Sequence, residues 1–203
     1  MKIVSDVPQA FAQLVSARRP NSIALSGGPL AIECYRALRR APYDWSAVDV
    51  FIGDERDVPV EHEGSNEGMI RRILFDEQSP RVLHSMVGLR AEGYDALLRE
   101  SPPIAFNHMG LGPDGHTASL FPASPELDER DRMTIETASE HHPHPRITFS
   151  YPAIERCAFT VVTVSGAETR DAIQRIRDGE DLPGARIRGP EVLWLGDEAA
   201  LAP

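Results

Sequence analysis

The sequence has little cysteine. Only Cys34 and Cys157 occur among its 203 residues. Two distant cysteines provide neither a disulfide framework nor the paired spacing of a zinc site. We therefore expect both to be small, buried side chains of a protein in a reducing compartment.

Positive charge is also scarce. The chain has 21 Lys and Arg against 31 Asp and Glu, a formal net charge of -10. This balance excludes the basic surface typical of nucleic-acid binders, so no nucleic-acid partner is expected. If such a protein handles an anion, it must concentrate its few arginines locally.

Long apolar runs are missing as well. No stretch approaches the roughly 20 apolar residues of a membrane span, so no membrane partner is expected. The first residues, MKIVSDVPQA, lack the apolar segment of a secretory signal. A cytoplasmic protein is the expectation.

What the chain does have is a regular alternation of short apolar runs and amphipathic segments. This order is typical of βαβ units, and it predicts one domain over residues 1–203. We expect an α/β, Rossmann-like three-layer fold with a mainly parallel sheet flanked by helices. The predicted strands lie within 22–28, 48–56, 104–112, 159–168 and 192–201, and the predicted helices within 8–19, 29–40, 63–76, 88–100 and 167–179.

Four polar segments follow predicted strands. They are residues 26–28, 53–56, 112–116 and 165–170. In a parallel sheet, ligands bind beyond the carboxyl ends of the strands, so we expect these segments to converge on one crevice.

The first of these segments, Ser26-Gly27-Gly28, closes a strand and precedes a helix. Glycines let the backbone approach an anion, and the helix N-terminus offers unpaired N–H groups. The segment is either a phosphate cradle or an ordinary tight turn, and the pattern favours neither. It is neither a Walker loop nor GxGxxG, so nucleotide binding has no support.

Arginines mark two further candidate positions. Arg56, in Gly53-Asp54-Glu55-Arg56, can hold a phosphate bidentately, while Asp54 or Glu55 can meet a sugar hydroxyl. Three adjacent charges are also typical of a solvated loop. Arg146, which opens RITFS, is either an anion ligand or a surface arginine.

The segment Gly112-Pro113-Asp114-Gly115-His116 contains the best candidate base. Histidine suits proton transfer near neutral pH, and the carboxylate of Asp114 can orient its ring. The alternative is a capped turn, with Asp114 capping a helix that we predict to start at Thr117. No GxSxG nucleophile elbow occurs, so a hydrolytic reaction here requires activated water.

A second group of histidines, His141, His142 and His144, raises the possibility of a metal site. Proline interrupts their spacing and no cysteine lies nearby, so an exposed loop is the preferred interpretation. We expect no metal and no cofactor.

Several motifs together carry a family resemblance. LSGG at 25–28, FIGDERDVPVEHEGSNEGM at 51–69, MGLGPDGHTASLFP at 109–122, RITFSYPAI at 146–154 and SGAETRDAI at 165–173 occur in one order over most of the chain. At these residues the sequence resembles the 6-phosphogluconolactonase family. That family shares its fold group with glucosamine-6-phosphate deaminases and ribose-5-phosphate isomerases.

The resemblance implies hydrolysis of 6-phospho-D-glucono-1,5-lactone to 6-phosphogluconate in the oxidative pentose phosphate pathway, without metal or nucleotide. His116 would be the general base, with Asp114 and Asp54 as further catalytic residues. The sugar-phosphate lactone would be bound by residues that supply amides, hydroxyls or positive charge, namely Ser26, Gly27, Gly28, Arg56, Arg146 and Arg170. A monomer or small homo-oligomer is expected.

Two alternatives remain open. In the phosphate loop Pro29 has no N–H, and Thr169 stands where the family tends to place a lysine; Arg170 is adjacent but would point elsewhere on a helix. These departures favour a non-catalytic or divergent sugar-phosphate-binding protein. A deaminase or isomerase is the other alternative, and Phe121 opposes it because those enzymes carry an acid in the corresponding context.

Overall fold

The computed structural model describes residues 1–139 and 142–202. The strands are β1 (Lys2–Ile3), β2 (Ser22–Leu25), β3 (Asp49–Ile52), β4 (Asp54–Arg56), β5 (Val82–His84), β6 (Phe106–Gly110), β7 (Thr134–Ser139), β8 (His142–Phe149), β9 (Thr160–Val164) and β10 (Val192–Gly196). The α-helices are α1 (Val7–Arg18), α2 (Pro29–Arg39), α3 (Asn66–Leu74), α4 (Ala91–Glu100), α5 (Tyr151–Arg156), α6 (Arg170–Arg177) and α7 (Glu198–Leu201).

Seven strands form a parallel sheet in the order β1-β10-β9-β6-β2-β3-β5. Helices flank this sheet, which confirms the predicted α/β three-layer fold. The central strands are buried along most of their length because helices cover both faces of a parallel sheet. In β9, for example, every residue is buried.

The helices begin where the sequence supplies a cap. Asp6 accepts a hydrogen bond from the amide of Gln9 at the start of α1, and Ser65 accepts one from the amide of Gly68 at the start of α3. At the start of α2 the capping position is Gly28, whose φ of 103° is accessible to glycine but not to residues with a Cβ.

A second, three-stranded sheet has the antiparallel order β4-β8-β7. The segment 54–56 is therefore a strand of this sheet, and the alternative interpretation of these charges as a solvated loop is wrong. Asp54 pairs with Thr148, and Arg56 pairs with Arg146. The register aligns two side chains that are far apart in sequence.

The order of the parallel sheet reverses between β2 and β6. From β2 the chain builds outward through β3 and β5, and then returns to β6 and builds outward through β9 and β10. A crevice forms at such a switch point, beyond the carboxyl ends of the strands. Among the described residues, no helix is both long enough and apolar enough to cross a bilayer.

Candidate active site

A cleft with a volume of about 1020 Å³, including the part open to solvent, lies at this switch point. It brings together all four polar segments that follow predicted strands. The lining residues are Ser26, Gly27, Gly28, Pro29, Leu30, Ala31, Asp54, Arg56, Asn66, His108, Gly110, Leu111, Gly112, Pro113, His116, Ala118, Arg146, Thr163, Val164, Ser165, Glu168 and Thr169.

His116 and Asp114 form a hydrogen-bonded pair at the edge of the cleft. His116 Nδ1 lies 2.6 Å from Asp114 Oδ1, and the His116 amide donates to the same oxygen at 3.1 Å. Burial acts to raise the pKa of Asp114, but these hydrogen bonds and the charge of the imidazole outweigh it and lower the pKa. With Nδ1 donating to the carboxylate, Nε2 is the ring nitrogen that can take a proton.

Local backbone geometry makes this pairing possible. A Cβ on Gly112 would lie 2.2 Å from the His116 ring and 2.9 Å from Asp114 Oδ1, so only glycine leaves room for the pair. The prediction of a helix from Thr117 is wrong. Ala118 has φ of 50°, and the chain turns back so that Thr117 and Leu120 pair through their backbones.

Asp54 faces the cleft from β4 and is held on two sides. Its Oδ2 accepts a hydrogen bond from Ser119 Oγ at 2.8 Å, and its Oδ1 accepts one from Asn66 Nδ2 at 3.2 Å. The side chain is buried, with 4% exposure. It is therefore a fixed carboxylate in the cleft wall.

Arg56 and Arg146 are cross-strand neighbours in the same wall. Arg56 Nη1 donates to Gly64 O at 2.7 Å and to Asn66 Oδ1 at 2.8 Å. Arg146 Nη1 reaches Ser119 Oγ at 3.3 Å. The Nε atoms of both arginines are buried, and neither has a hydrogen-bond partner among the described residues.

The two guanidinium groups create a positive region inside an acidic protein. Burial and the neighbouring charge of Arg56 lower the pKa of Arg146 from its usual value. The carboxylates of Asp54 and Glu55 act in the opposite direction on Arg146 but do not outweigh these two effects. The arrangement suits a phosphate group, which accepts hydrogen bonds from several N–H donors at once.

The glycine loop, Ser26-Gly27-Gly28, lines the cleft next to Asn66. A Cβ on Gly27 would lie 1.9 Å from Asn66 Oδ1, so the loop packs directly on the residue that contacts Arg56. A Cβ on Gly28 would meet nothing within 4 Å, which leaves this backbone open to the cleft. Pro29 follows as the first residue of α2.

Sequence reasoning missed Asn66 and Ser119. Asn66 links the glycine loop, Asp54 and Arg56, whereas Ser119 links Asp54 and Arg146. Both residues lie inside motifs quoted for the resemblance. Asn66 was expected only to begin a helix, and Ser119 was expected only to belong to the segment after His116, so neither was predicted to face the cleft. Glu55 does not face the cleft, because its carboxylate accepts hydrogen bonds at the start of α3.

Arg170 is the one predicted binding residue that the structure does not bring to the cleft. Its guanidinium donates to the carbonyl groups of Ala199 and Glu198 beside α7. Arg170 is the first residue of α6, and from there it points away from the sheet crevice. Thr169 does line the cleft, but its hydroxyl donates to backbone carbonyls and it carries no charge.

The remaining expectations concern histidines and cysteines. His141 lies outside the described residues, and β8 begins at His142, so the prediction of a loop there is wrong for the segment that contains His144. No group of three or more potential metal ligands occurs in the part of the chain that the structure describes. Cys34 and Cys157 are buried, and burial raises the pKa of each thiol to about 12.

The sequence matches the model of a known protein family. The family model described as glucosamine-6-phosphate isomerases/6-phosphogluconolactonase matches residues 1–194. The chain belongs to this family. In this member of the glucosamine-6-phosphate isomerase/6-phosphogluconolactonase family, each motif that carries the resemblance contributes residues to the cleft.

Relatives in this family cover nearly the whole chain. A 6-phosphogluconolactonase of Pseudomonas putida is 31% identical over 92% of this chain and 82% of its own length. One from Synechocystis is 34% identical over 96% of this chain and 89% of its own length. The crystal structure of 6-phosphogluconolactonase from Thermotoga maritima superposes with a TM-score of 0.86 at 23% identity, covering 97% of this chain and 98% of that one, which shows a shared fold.

Proposed function

We propose that this protein hydrolyses 6-phospho-D-glucono-1,5-lactone to 6-phosphogluconate in the oxidative pentose phosphate pathway. The observation that carries the proposal is a single cleft that holds an Asp–His pair at one end and two arginines in its wall. Its relatives at 31–34% identity bear the name 6-phosphogluconolactonase. The substrate offers the two features that such a cleft fits, an activated ester and a phosphate.

In this mechanism His116 is the general base. Its Nε2 takes a proton from water as the water oxygen bonds to the lactone carbonyl carbon. The bond between that carbon and the ring oxygen then breaks, and the proton passes from His116 to the departing oxygen, which becomes a hydroxyl. General-base catalysis contributes about 10²–10⁴-fold, which is sufficient for an ester as reactive as a lactone.

Asp114 keeps His116 in the productive tautomer. Its carboxylate accepts from Nδ1, so Nε2 is directed to the water and the imidazolium is stabilised while it holds the proton. Asp54 lines the same cleft and is fixed by Ser119 and Asn66. We assign it to a substrate hydroxyl, for which a fixed carboxylate is a good acceptor.

The phosphate is held between the arginine pair and the glycine loop. Arg56 and Arg146 line the cleft and supply positive charge. Gly27 and Gly28 let the substrate approach the backbone at the start of α2. Holding the phosphate fixes the distance between the carbonyl carbon and His116, which converts binding energy into orientation.

A second candidate is a sugar-phosphate-binding protein without turnover. The uncharged Thr169 and the absence of an N–H on Pro29 favour it, since both reduce the number of phosphate donors. A deaminase or isomerase has less support, because the Phe121 ring lies 5.5 Å from the His116 ring and has no acid or base.

The test is clearance of the lactone, generated in situ, by the wild-type protein and by His116→Ala. We expect the wild type to accelerate hydrolysis and the variant to lose about 10²–10⁴-fold in rate. The side chain of His116 is 27% exposed at the cleft edge, so its removal should leave the fold intact. Circular dichroism checks this.

The matched control is His62→Ala, which removes an exposed histidine that does not line the cleft. It should keep the wild-type rate. A wild-type protein that is stabilised by 6-phosphogluconate but does not accelerate hydrolysis would establish the binding protein instead.

A further inference from the structure

A buried hydroxyl lies directly behind the glycine loop. Tyr35, on α2, is fully buried, and its Oη meets the end of β2. The amide of Ser26 donates to Oη at 2.8 Å, and the hydroxyl donates to Ser26 O at 2.9 Å. One side chain thus satisfies both backbone polar groups of the residue that precedes Gly27.

His108, on β6, braces this hydroxyl from the neighbouring strand. Its Nδ1 lies 2.9 Å from Tyr35 Oη, and its Nε2 lies 2.9 Å from Thr163 Oγ1. Its own carbonyl accepts from Ser26 Oγ at 2.6 Å. The ring packs on Phe11 with 4.3 Å between centroids.

The protons in this network can be assigned so that every partner is satisfied. With the proton on Nδ1, His108 donates to Tyr35 and accepts from Thr163. Burial lowers the pKa of His108 to about 3, so the ring is neutral and is not a second base for the reaction. The role of His108 is therefore structural, even though the residue lines the cleft.

Such a network has a cost that apolar side chains would avoid, because buried polar groups are unfavourable unless fully paired. Apolar packing alone could attach α2 to the sheet. What the hydroxyl adds is a fixed position for the Ser26 backbone. Asn66 contacts Gly27 from the other side and also accepts from Arg56, so the loop position also sets the distance to that arginine.

We propose that Tyr35, braced by His108, is a positioning residue that fixes Ser26-Gly27-Gly28 for contact with the substrate phosphate. The proposal rests on the proposed function, since it concerns the phosphate of that substrate. Tyr35 does not line the cleft and is not proposed to contact the reacting atoms. Its effect should therefore depend on whether the substrate carries a phosphate.

The test is Tyr35→Phe, which keeps the ring and removes the hydroxyl. Because Ser26-Gly27-Gly28 is then no longer fixed for the phosphate, KM for the phosphorylated lactone should rise roughly 10-fold, equivalent to about 1.4 kcal/mol of binding free energy, with kcat nearly unchanged. Hydrolysis of unphosphorylated glucono-1,5-lactone should not change. The affinity for inorganic phosphate, measured by titration, should fall by the same factor of about ten.

Tyr94→Phe is the matched control. Tyr94 is also fully buried, and its hydroxyl accepts from Ile52 N and donates to His84 O, both at 3.0 Å. Neither Ile52 nor His84 lines the cleft. This variant should lose comparable stability while keeping the wild-type KM and phosphate affinity. The same KM rise in both variants, or an equal loss on both lactones in Tyr35→Phe, would overturn the proposal.

A second variant and the phosphate titration test the role of Tyr35 even if Tyr35→Phe does not fold or the protein does not hydrolyse the lactone. If Tyr35→Phe does not fold, His108→Leu removes the brace while leaving the Tyr35–Ser26 bonds, and a smaller shift in the same direction is expected. Phosphate affinity is measured without turnover. A wild-type protein that binds phosphate but does not hydrolyse the lactone would therefore reject the proposed function, while the variant's affinity would still decide the role of Tyr35.

Discussion

Two histidines at the cleft have opposite surroundings. His116 stands beside the carboxylate of Asp114, with its Nδ1 2.6 Å from Oδ1. His108 is 1% exposed, its ring nitrogens hydrogen-bond to the uncharged side chains of Tyr35 and Thr163, and its ring packs on Phe11. Burial keeps His108 neutral, whereas His116 is the histidine that we propose exchanges a proton during the reaction.

The buried histidine predicts how stability depends on pH. The pKa of His108 is about 3 in the folded protein and about 6.5 in an unfolded chain. Between these values the unfolded chain binds a proton that the folded protein does not, so stability falls as the pH is lowered from 6.5. At a pH of about 4.5 the loss is roughly 3 kcal/mol.

Urea unfolding of the wild type and His108→Leu at pH values of about 7 and 4.5 measures this loss. The variant should lose less unfolding free energy on acidification, whatever its stability at neutral pH. Asp114, whose pKa is lowered, acts in the same direction in both proteins and cancels in the comparison. Equal losses would contradict the assignment of a neutral buried His108.

Single residues differ in how far the sequence predicts them. Gly27, Asp54 and His116 could be identified because each lies at the end of a predicted strand. Tyr35 and His108 could not, because their contact with each other spans 73 residues of sequence and the bond from Ser26 Oγ to His108 O spans 82. Only the register of β2 and β6 brings them together.

At the scale of elements, the start of α3 depends on one acidic side chain. The Glu55 carboxylate accepts from the amides of Arg56, Asn66 and Glu67 and from Ser65 Oγ. Burial raises the pKa of Glu55, while these four hydrogen bonds act against the rise. The carboxylate thereby joins β4 to α3 and keeps Asn66 against Arg56.

Glu55→Ala should therefore destabilise the protein by about 3 kcal/mol or more, since it leaves several buried donors unpaired. Urea unfolding measures the change. Glu61→Ala, an exposed acid in the intervening segment, should stay within about 0.5 kcal/mol of the wild type. A loss in Glu55→Ala no greater than in that control would show that α3 does not need this cap.

The two sheets were not equally predictable. Five strands of the parallel sheet, β2, β3, β6, β9 and β10, are mostly apolar runs between helices and were predicted, whereas the short edge strands β1 and β5 were not. The small sheet escaped prediction because β4 consists of Asp, Glu and Arg, and because β8 contains prolines. Its strands form through pairing with each other and through docking on the core, which no local pattern records.

At the scale of the whole molecule, we propose that residues 1–203 form one domain. One apolar core includes Ile135 and Phe149 of the small sheet together with Val161 of the parallel sheet. A shared core should make both sheets unfold together. Far-UV circular dichroism and tryptophan fluorescence should then report one thermal midpoint.

Trp45 and Trp194 both lie in or next to the parallel sheet, so the fluorescence of single-tryptophan variants reports that sheet, while circular dichroism reports the whole fold. Trp45→Phe leaves Trp194 on β10 as the probe, while Trp194→Phe leaves the buried Trp45 before β3. If the thermal midpoint from fluorescence differs from the midpoint from circular dichroism in either variant, the chain contains two separately unfolding units.

The ends of the parallel sheet have one more consequence. Its outermost strands, β1 and β5, are only two and three residues long. A neighbouring chain that tried to extend the sheet would gain very few backbone hydrogen bonds at either margin. The short edge strands therefore disfavour the addition of further chains to this sheet, and with it the growth of fibrils from identical copies.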